Sequence, residues 1–247
     1  MKTKFYYFLI FFLGPIFLIA QEVDVKGGSI PDGPFFEEQG GMSVTGYYKD
    51  NKKTGNWVTY FKSGQIHIVE HYKLGMKDGL FLKISKRGYI VEQSEFTRDT
   101  LSGEKIAFSI GGKTKLIENY KNGLLDGLRT VYYDRGGVQE ESNYSADKKN
   151  GVAKWYNSEG KLIAEYNYAY GVFDGAQLTY YTNDTLRSVQ RFENDITIGP
   201  YREYFENGKI KIEGSYKGGL KSGKWFEYDE NGDLVLTTKY RKGEVVN

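Results

Sequence analysis

A 24-residue period runs through almost the whole chain and limits the folds that it can adopt. Glycine returns at every 24th position over eight copies, without an insertion or a deletion. These marker glycines are Gly55, Gly79, Gly103, Gly127, Gly151, Gly175, Gly199 and Gly223. A repeat of this length is one supersecondary unit that buries its apolar side chains against neighbouring copies. The period therefore predicts a repeat array in which each copy contacts the next.

Three further columns, counted from each marker glycine, keep the same frame. Column five is apolar or aromatic, column seventeen is always aromatic, and column nine is glycine in every copy except one, which has Asp184. Running the frame backwards adds a first copy that begins at Pro31. Its matching residues are Phe36, Gly40, Met42 and Tyr48. Nine copies therefore cover residues 31–247, and residues 21–30 are expected to form a short flexible lead-in.

Each copy has the pattern of a β-hairpin. In the copy at Gly199, residues 201–205 and 210–216 are runs rich in aromatic and β-branched side chains. Asn207 and Gly208 lie between them, and this dipeptide accepts positive φ at both positions of a tight turn. A polar segment that contains glycine, residues 217–222, then leads to the next marker glycine. The predicted fold class is all-β, an elongated antiparallel meander of nine 24-residue β-hairpin repeats with about eighteen short strands.

The columns also predict which side chains are buried. Because side chains alternate across a strand, the odd columns five, eleven and seventeen are expected to share one buried face. The even columns hold charges in some copies and large aromatic residues in others, which is typical of a surface. Their aromatic residues are therefore the candidate binding residues, unless the two aromatic rows stack on each other through the twist of the sheet. These candidates are Trp57, Phe61, Trp155, Tyr201, Phe205 and Trp225.

Two short motifs recur in the copies. One has the form Gly-x-Trp/Tyr-x-x-Tyr-Phe/Tyr-x-x-Gly, seen in residues 55–64, in 199–209 with the Lys209 that follows it, and in 223–232, where Asp229 stands at the Phe/Tyr position. The other, Tyr-Lys-x-Gly, is at residues 72–75, 120–123 and 216–219. The pattern resembles the MORN repeat and, more closely, the MORN repeat variant of bacterial proteins labelled toxin–antitoxin system YwqK-family antitoxins. The resemblance covers all nine copies and implies a scaffold or binding module. Two copies depart from it, with Ser85 and Asp184 at positions that usually hold an aromatic residue or glycine.

The first twenty residues have the pattern of a secretory signal peptide. Lys2 and Lys4 precede an apolar run, and the small residue Ala20 precedes the polar Gln21. The run is shorter than the ~20 residues that span a bilayer. We therefore predict cleavage near Ala20 and Gln21, a secreted or periplasmic protein, and no integral membrane span in the mature chain. An uncleaved membrane anchor is the alternative.

Composition limits the chemistry and the partners. The chain has no cysteine, which excludes disulfides and cysteine nucleophiles. Lys and Arg total 34 against 32 acidic residues, and Lys2 and Lys4 account for the difference, so residues 21–247 are formally neutral. Nucleic-acid binding proteins carry a clustered basic excess, so a nucleic-acid partner is not expected.

Few side chains suggest catalysis or metal binding. His67 and His71 are the two histidines, and on a strand their spacing is about 13 Å, too long to share one metal. Asp78, Asp126 and Asp174 precede marker glycines and are interpreted as turn residues, since calcium needs several carboxylates close together. The sequence Gly-Lys-Thr at residues 112–114 is interpreted as a hairpin turn and not as a phosphate-binding loop.

The function predicted from the sequence is an exported, non-enzymatic repeat scaffold that binds another protein and uses no cofactor or metal. A second hypothesis is a glycan-binding protein of the envelope or exterior, with Trp and Tyr as stacking platforms. A third is an antitoxin or immunity-like protein that neutralises a toxin. Export argues against the third hypothesis if the toxin is cytoplasmic.

Overall fold

The computed structural model describes residues 30–246 and the backbone of Phe5–Tyr7 and Gln21–Val23. Most of the predicted signal peptide, its cleavage site and residues 24–29 of the lead-in lie outside the described residues. In the part of the chain that is described, no helix has the length and apolar character needed to cross a bilayer. The described chain divides into two compact units, Met1–Gly123 and Leu124–Asn247.

The first unit is an antiparallel meander in which successive strands pair from β3 to β10. Its strands are β1 Phe5–Tyr7, β2 Gln21–Val23, β3 Gly33–Gln39, β4 Met42–Lys49, β5 Lys52–Tyr60, β6 Ile66–Lys73, β7 Met76–Ile84, β8 Ile90–Thr97, β9 Thr100–Phe108 and β10 Thr114–Lys121. β1 pairs with β2 and, through Tyr6 opposite Phe36, with β3.

The second unit repeats the same architecture, with successive pairing from β12 to β22. Its strands are β11 Leu124–Leu125, β12 Gly127–Tyr132, β13 Val138–Ser145, β14 Lys148–Tyr156, β15 Leu162–Ala169, β16 Val172–Tyr180, β17 Leu186–Glu193, β18 Ile196–Tyr204, β19 Ile210–Lys217, β20 Leu220–Tyr228, β21 Leu234–Arg241 and β22 Glu244–Val245. The described residues thus form nine hairpins, four in the first unit and five in the second. The predicted all-β meander of hairpin repeats is confirmed.

The hairpin loop differs from the predicted turn. Of Asn207 and Gly208, only Gly208 has a positive φ, 81°. The Phe205 N–H donates to the Lys209 carbonyl oxygen at 2.9 Å, and the Gly208 N–H donates to the Phe205 carbonyl oxygen at 2.9 Å. This is a three-residue loop closed by one left-handed residue. The expectation of positive φ at both positions is therefore wrong, although the glycines of columns zero and nine all have positive φ.

The tight two-residue turn lies at the other reversal of each copy. Between β19 and β20, only Gly218 and Gly219 stand outside the strands, with φ of 58° and 80°. β18 begins at Ile196 and contains the marker Gly199, so the strands start earlier than the sequence runs suggest. The marker glycine lies at a bulge relative to the preceding strand, where the register shifts.

Three of these tight turns carry aspartate where other copies have glycine. Asp147 has a φ of 66°, and its Oδ1 accepts a hydrogen bond from the Leu125 N–H at 2.7 Å. Asp99 and Asp195 make the equivalent bond at 2.7 Å. An aspartate in the left-handed region is strained, and this charge-assisted hydrogen bond offsets the strain.

The first copy begins later than predicted. Gly33, and not Pro31, takes the marker position, because it lies opposite Tyr48 as Gly55 lies opposite Tyr72. Gly40 and Gly41 form a two-residue turn with φ of 63° and 80°. The first hairpin is therefore shorter than the others, and its buried aromatic residue is Phe35, which is 8% exposed.

Pairing within a hairpin determines which columns share a face. Gly55 lies opposite Tyr72 and Trp57 opposite Glu70, so the columns of paired residues add up to seventeen. Because directly opposed residues lie on the same face, even columns of the first strand join odd columns of the second. We call this the core face, and the opposite side the second face. The expectation that columns five, eleven and seventeen share a face is wrong.

Burial agrees with this assignment. Nine of the ten buried side chains in the described residues lie on the core face. They are Phe35, Trp57, Tyr72, Ser94, Ser142, Ala153, Ala164, Gln190 and Trp225. Thr130 is the exception. Column eleven, expected to be a buried row, adjoins the irregular register of the hairpin loop and is exposed at Ile66 (41%), Ile90 (38%) and Leu234 (56%).

Candidate binding surface

Two of the six candidate residues are in the core. Trp57 and Trp225 are each 3% exposed. The Trp57 ring centroid lies 5.0 Å from that of Tyr48 and 5.2 Å from that of Phe35. Trp225 contacts Tyr201 at 5.6 Å and aromatic residues of both neighbouring strands. The expectation that these two tryptophans are exposed is wrong, because the parity change places column two on the core face, where aromatic rows stack.

Each of these tryptophans lies directly against a glycine. A Cβ atom at Gly46 would be 2.3 Å from the Trp57 ring, and one at Gly214 would be 2.2 Å from the Trp225 ring. Both glycines occupy column fifteen, and neither has a φ in the left-handed region. They are therefore required for space and not for backbone conformation.

A lysine covers the open side of each of these clusters. Lys53 Nζ lies 4.1 Å from the Trp57 ring centroid and 4.8 Å from that of Tyr72. Lys221 makes the same pair of contacts in the last hairpin, at 4.2 Å and 5.0 Å. Burial lowers the pKa of Lys53. Burial and the neighbouring Glu70 raise the pKa of Tyr72 to about 12. These contacts stabilise the core face and cover the rings of Trp57 and Trp225.

The other four candidates are half-buried. Trp155 packs on Tyr166 at 4.9 Å. Tyr201 donates a hydrogen bond to Glu203 at 3.2 Å, and burial together with Glu203 raises its pKa to about 12. Phe61 and Phe205 lie in hairpin loops of different units. Only Tyr201 and Trp225 among the six are in ring contact with each other.

Polar groups that suggested chemistry have structural partners. His67 Nδ1 lies 3.0 Å from the Ile84 carbonyl oxygen, and His71 Nδ1 lies 2.8 Å from Asn56 Oδ1. Asp126 accepts a hydrogen bond from the N–H of Ala146, a tight-turn residue, at 3.3 Å, although Asp126 itself lies beside a bulge and not in a turn. Among residues 30–246, no group of three His, Asp or Glu side chains is arranged to hold a metal.

The Gly-Lys-Thr sequence belongs to a hairpin loop. Ser109 N–H donates to the Lys113 carbonyl oxygen at 2.8 Å, and the Gly112 N–H donates to the Ser109 carbonyl oxygen at 3.0 Å. The same pair of hydrogen bonds closes the loop at Gly208. The interpretation of residues 112–114 as an ordinary hairpin turn is confirmed.

An apolar row that the sequence analysis missed crosses the second face of the first unit. Columns three and fourteen are directly paired from strand to strand from β5 to β10. The row consists of five aliphatic residues and one glutamine, all half-buried: Val58, Val69, Leu82, Gln93, Ile106 and Ile117. On the same face, Tyr47 is 46% exposed and Leu80 is 42% exposed. We call this set of six residues the apolar row.

The same columns are charged in much of the second unit. Lys154 pairs with Glu165 at 3.9 Å, and Arg202 pairs with Glu213 at 3.4 Å. Tyr156, on the same face, donates a hydrogen bond to Glu141 at 2.9 Å. The position thus accepts charged and apolar side chains within the same hairpin fold. Both the apolar row and its charged counterpart can be identified from the sequence, provided that columns three and fourteen are recognised as paired across the hairpin turn.

Comparison with known families supports the repeat. Five segments match the family profile of the MORN repeat variant, residues 53–74, 125–146, 149–170, 198–217 and 221–242. Together they cover a little under half of the chain. Each covers one hairpin, and four of the five also include the first residue of the tight turn that follows. The copies at Gly79 and Gly175, which depart from the motif, are not among them. Comparison with curated proteins finds no match.

Proposed function

We propose that the protein is an exported, non-enzymatic repeat scaffold that binds another protein through the apolar row of its first unit. The observation that carries this proposal is the contrast between the two units. In the second unit, Lys154 and Arg202 occupy the column that holds Val58, Leu82 and Ile106 in the first. Because the fold accepts charge there, folding alone does not require the apolar side chains.

The size of the row suits a protein partner. From β5 to β10 it crosses six strands, or about 24 Å at the usual strand spacing. A standard interface covers about 800 Å² on each partner, which requires a patch of this width. Half-buried aliphatic side chains flanked by the exposed Tyr47 and Leu80 provide the apolar centre that such interfaces have.

Stacking of sugars on tryptophan is disfavoured. Trp57 and Trp225 are 3% exposed, and a lysine covers each ring. A glycan would need an exposed ring face, so these two tryptophans do not support the glycan-binding hypothesis.

The proposal of export rests on the apolar run that follows Lys4. N-terminal sequencing of the protein from its source should find Gln21 first, whereas retention of Met1 would contradict export.

Affinity capture with matched variants tests the binding proposal. The purified chain, Leu82→Lys and the control Leu178→Lys are each used to capture partners from extracts of the source organism. Leu178 is half-buried on the second face of the second unit, in the column that Leu82 occupies in the first. We expect one identified protein to bind stoichiometrically to the unchanged chain and to the control, and to be lost with Leu82→Lys at an unchanged Tm. Equal capture by both variants would contradict the proposal.

A further inference from the structure

An open groove of about 770 Å³ lies at the hairpin-loop edge of the first unit. Its lining includes Gly40, Gly41, Met42, Phe61, Lys62 and Lys86. These residues come from three consecutive hairpins. The first hairpin ends in a two-residue turn, whereas the next ends in a three-residue loop closed by Gly64. The groove lies where the shorter hairpin adjoins the longer one.

The charge of the groove is positive. Lys62 and Lys86 are exposed, and no carboxylate is among the lining residues. Within residues 30–246, neither lysine forms an ion pair. Both occupy column seven, which holds Asp134 and Glu206 in other copies, so the loop does not need a lysine there. Two unpaired ammonium groups on neighbouring loops attract an anion.

Apolar surface lies beside these charges. Met42 is 46% exposed, and Phe61 is half-buried. The Phe61 ring is held in place by the His67 ring, with centroids 4.1 Å apart, and Lys86 Nζ lies 5.9 Å from its centroid. Because its position is fixed before a ligand arrives, the ring loses little entropy on binding.

We propose that this groove binds a small organic carboxylate with an aromatic or other apolar body. The carboxylate lies between Lys62 and Lys86, and the apolar body packs on Phe61 and Met42. The volume falls within the 300–1,000 Å³ typical of small-molecule sites. The site is independent of the proposed protein-binding surface, because no residue of the apolar row lines the groove.

Titration with 2-naphthoate, followed by two-dimensional amide NMR of the full chain, tests this site. We expect saturable shifts of the Gly40, Gly41 and Phe61 amides, with a Kd of about 1 mM or below. The neutral analogue 2-naphthamide should bind about tenfold more weakly, because it lacks the charge. Higher salt should weaken the binding of naphthoate but not of naphthamide.

Charge variants locate the binding groups. The double variant Lys62→Gln/Lys86→Gln should weaken naphthoate binding about tenfold, and each single variant about threefold. Lys115→Gln is the control, because Lys115 is an exposed lysine of the first unit outside the groove. Shifts that do not saturate, equal binding of naphthoate and naphthamide, or an equal effect of Lys115→Gln would overturn the proposal.

Discussion

Replacement of Gly214 by alanine tests the packing of the core face. The Cβ atom of the variant would lie 2.2 Å from the Trp225 ring, whereas carbon atoms in contact are about 3.5 to 4.0 Å apart. The ring must therefore move by about 1.5 Å, although it is held by Tyr201 and Tyr216 with centroids 5.6 Å and 5.1 Å away. The φ of Gly214 is outside the left-handed region, so backbone strain does not contribute.

The magnitude follows from two opposing terms. Overpacking of this kind costs about 1 to 3 kcal/mol. Replacing glycine by alanine also restricts the unfolded chain, which stabilises the fold by about 0.4 to 1 kcal/mol. We therefore expect Gly214→Ala to lower the free energy of unfolding by about 1 to 2 kcal/mol.

Urea unfolding of four proteins measures the effect. They are the unchanged chain, Gly214→Ala, Trp225→Ala and the double variant. Trp225→Ala removes every ring atom that the new Cβ would meet, including Cγ at 2.6 Å. If the clash with the indole is the cause, alanine at position 214 should cost almost nothing once Trp225 is alanine, and the coupling energy should exceed about 1 kcal/mol. Additive effects, within about 0.5 kcal/mol, would refute the packing argument.

Two further predictions concern the turns and the tyrosines. Asp147→Ala should lower the free energy of unfolding by about 1 to 3 kcal/mol, because it removes the hydrogen bond from the Leu125 N–H while the residue keeps a left-handed φ. Asp147→Gly loses the same hydrogen bond but adopts this φ without strain, so it should lower the free energy of unfolding by less. Urea unfolding measures both. The fold raises the pKa of Tyr72 from 10.0 to about 12, so the stability that this residue contributes below pH 10 should be lost as the pH rises towards 12. Tyr72→Phe should reduce that loss, which urea unfolding at pH 9 and pH 11 measures.

The period and the hairpins could be predicted from the sequence. The sequence also contained the face assignment, which the analysis of alternation missed. Asn207 and Gly208 occupy columns eight and nine, so a turn centred on them already pairs columns that add up to seventeen. Alternation holds within one strand, but an odd sum pairs even with odd columns across the turn. Assigning all odd columns of both strands to one face therefore placed Trp57 on the wrong face.

The packing of tryptophan on glycine can be predicted from the sequence, whereas the groove near Phe61 cannot. Glycine occupies column fifteen only at Gly46 and Gly214, and in both cases the next copy has tryptophan at column two. A glycine at column fifteen followed by a tryptophan at column two of the next copy therefore predicts an indole ring packed against the glycine backbone. The groove near Phe61 has no such signal, since it depends on the shorter turn of the first hairpin and on loops from three hairpins. Repeat frames describe what copies share, whereas this site arises where one copy differs.

If the core face supports the fold and the second face of the first unit is free to bind a partner, substitutions on the two faces should change stability by different amounts. Thermal unfolding of Trp57→Ala and Leu82→Lys tests this expectation most directly. Removing a buried tryptophan costs about 3 to 5 kcal/mol, so Trp57→Ala should lower the Tm by about 10 °C. Leu82→Lys should change the Tm by less than about 3 °C, because Lys154 and Arg202 occupy the same column. An unchanged Tm for Trp57→Ala together with a large fall for Leu82→Lys would contradict the account.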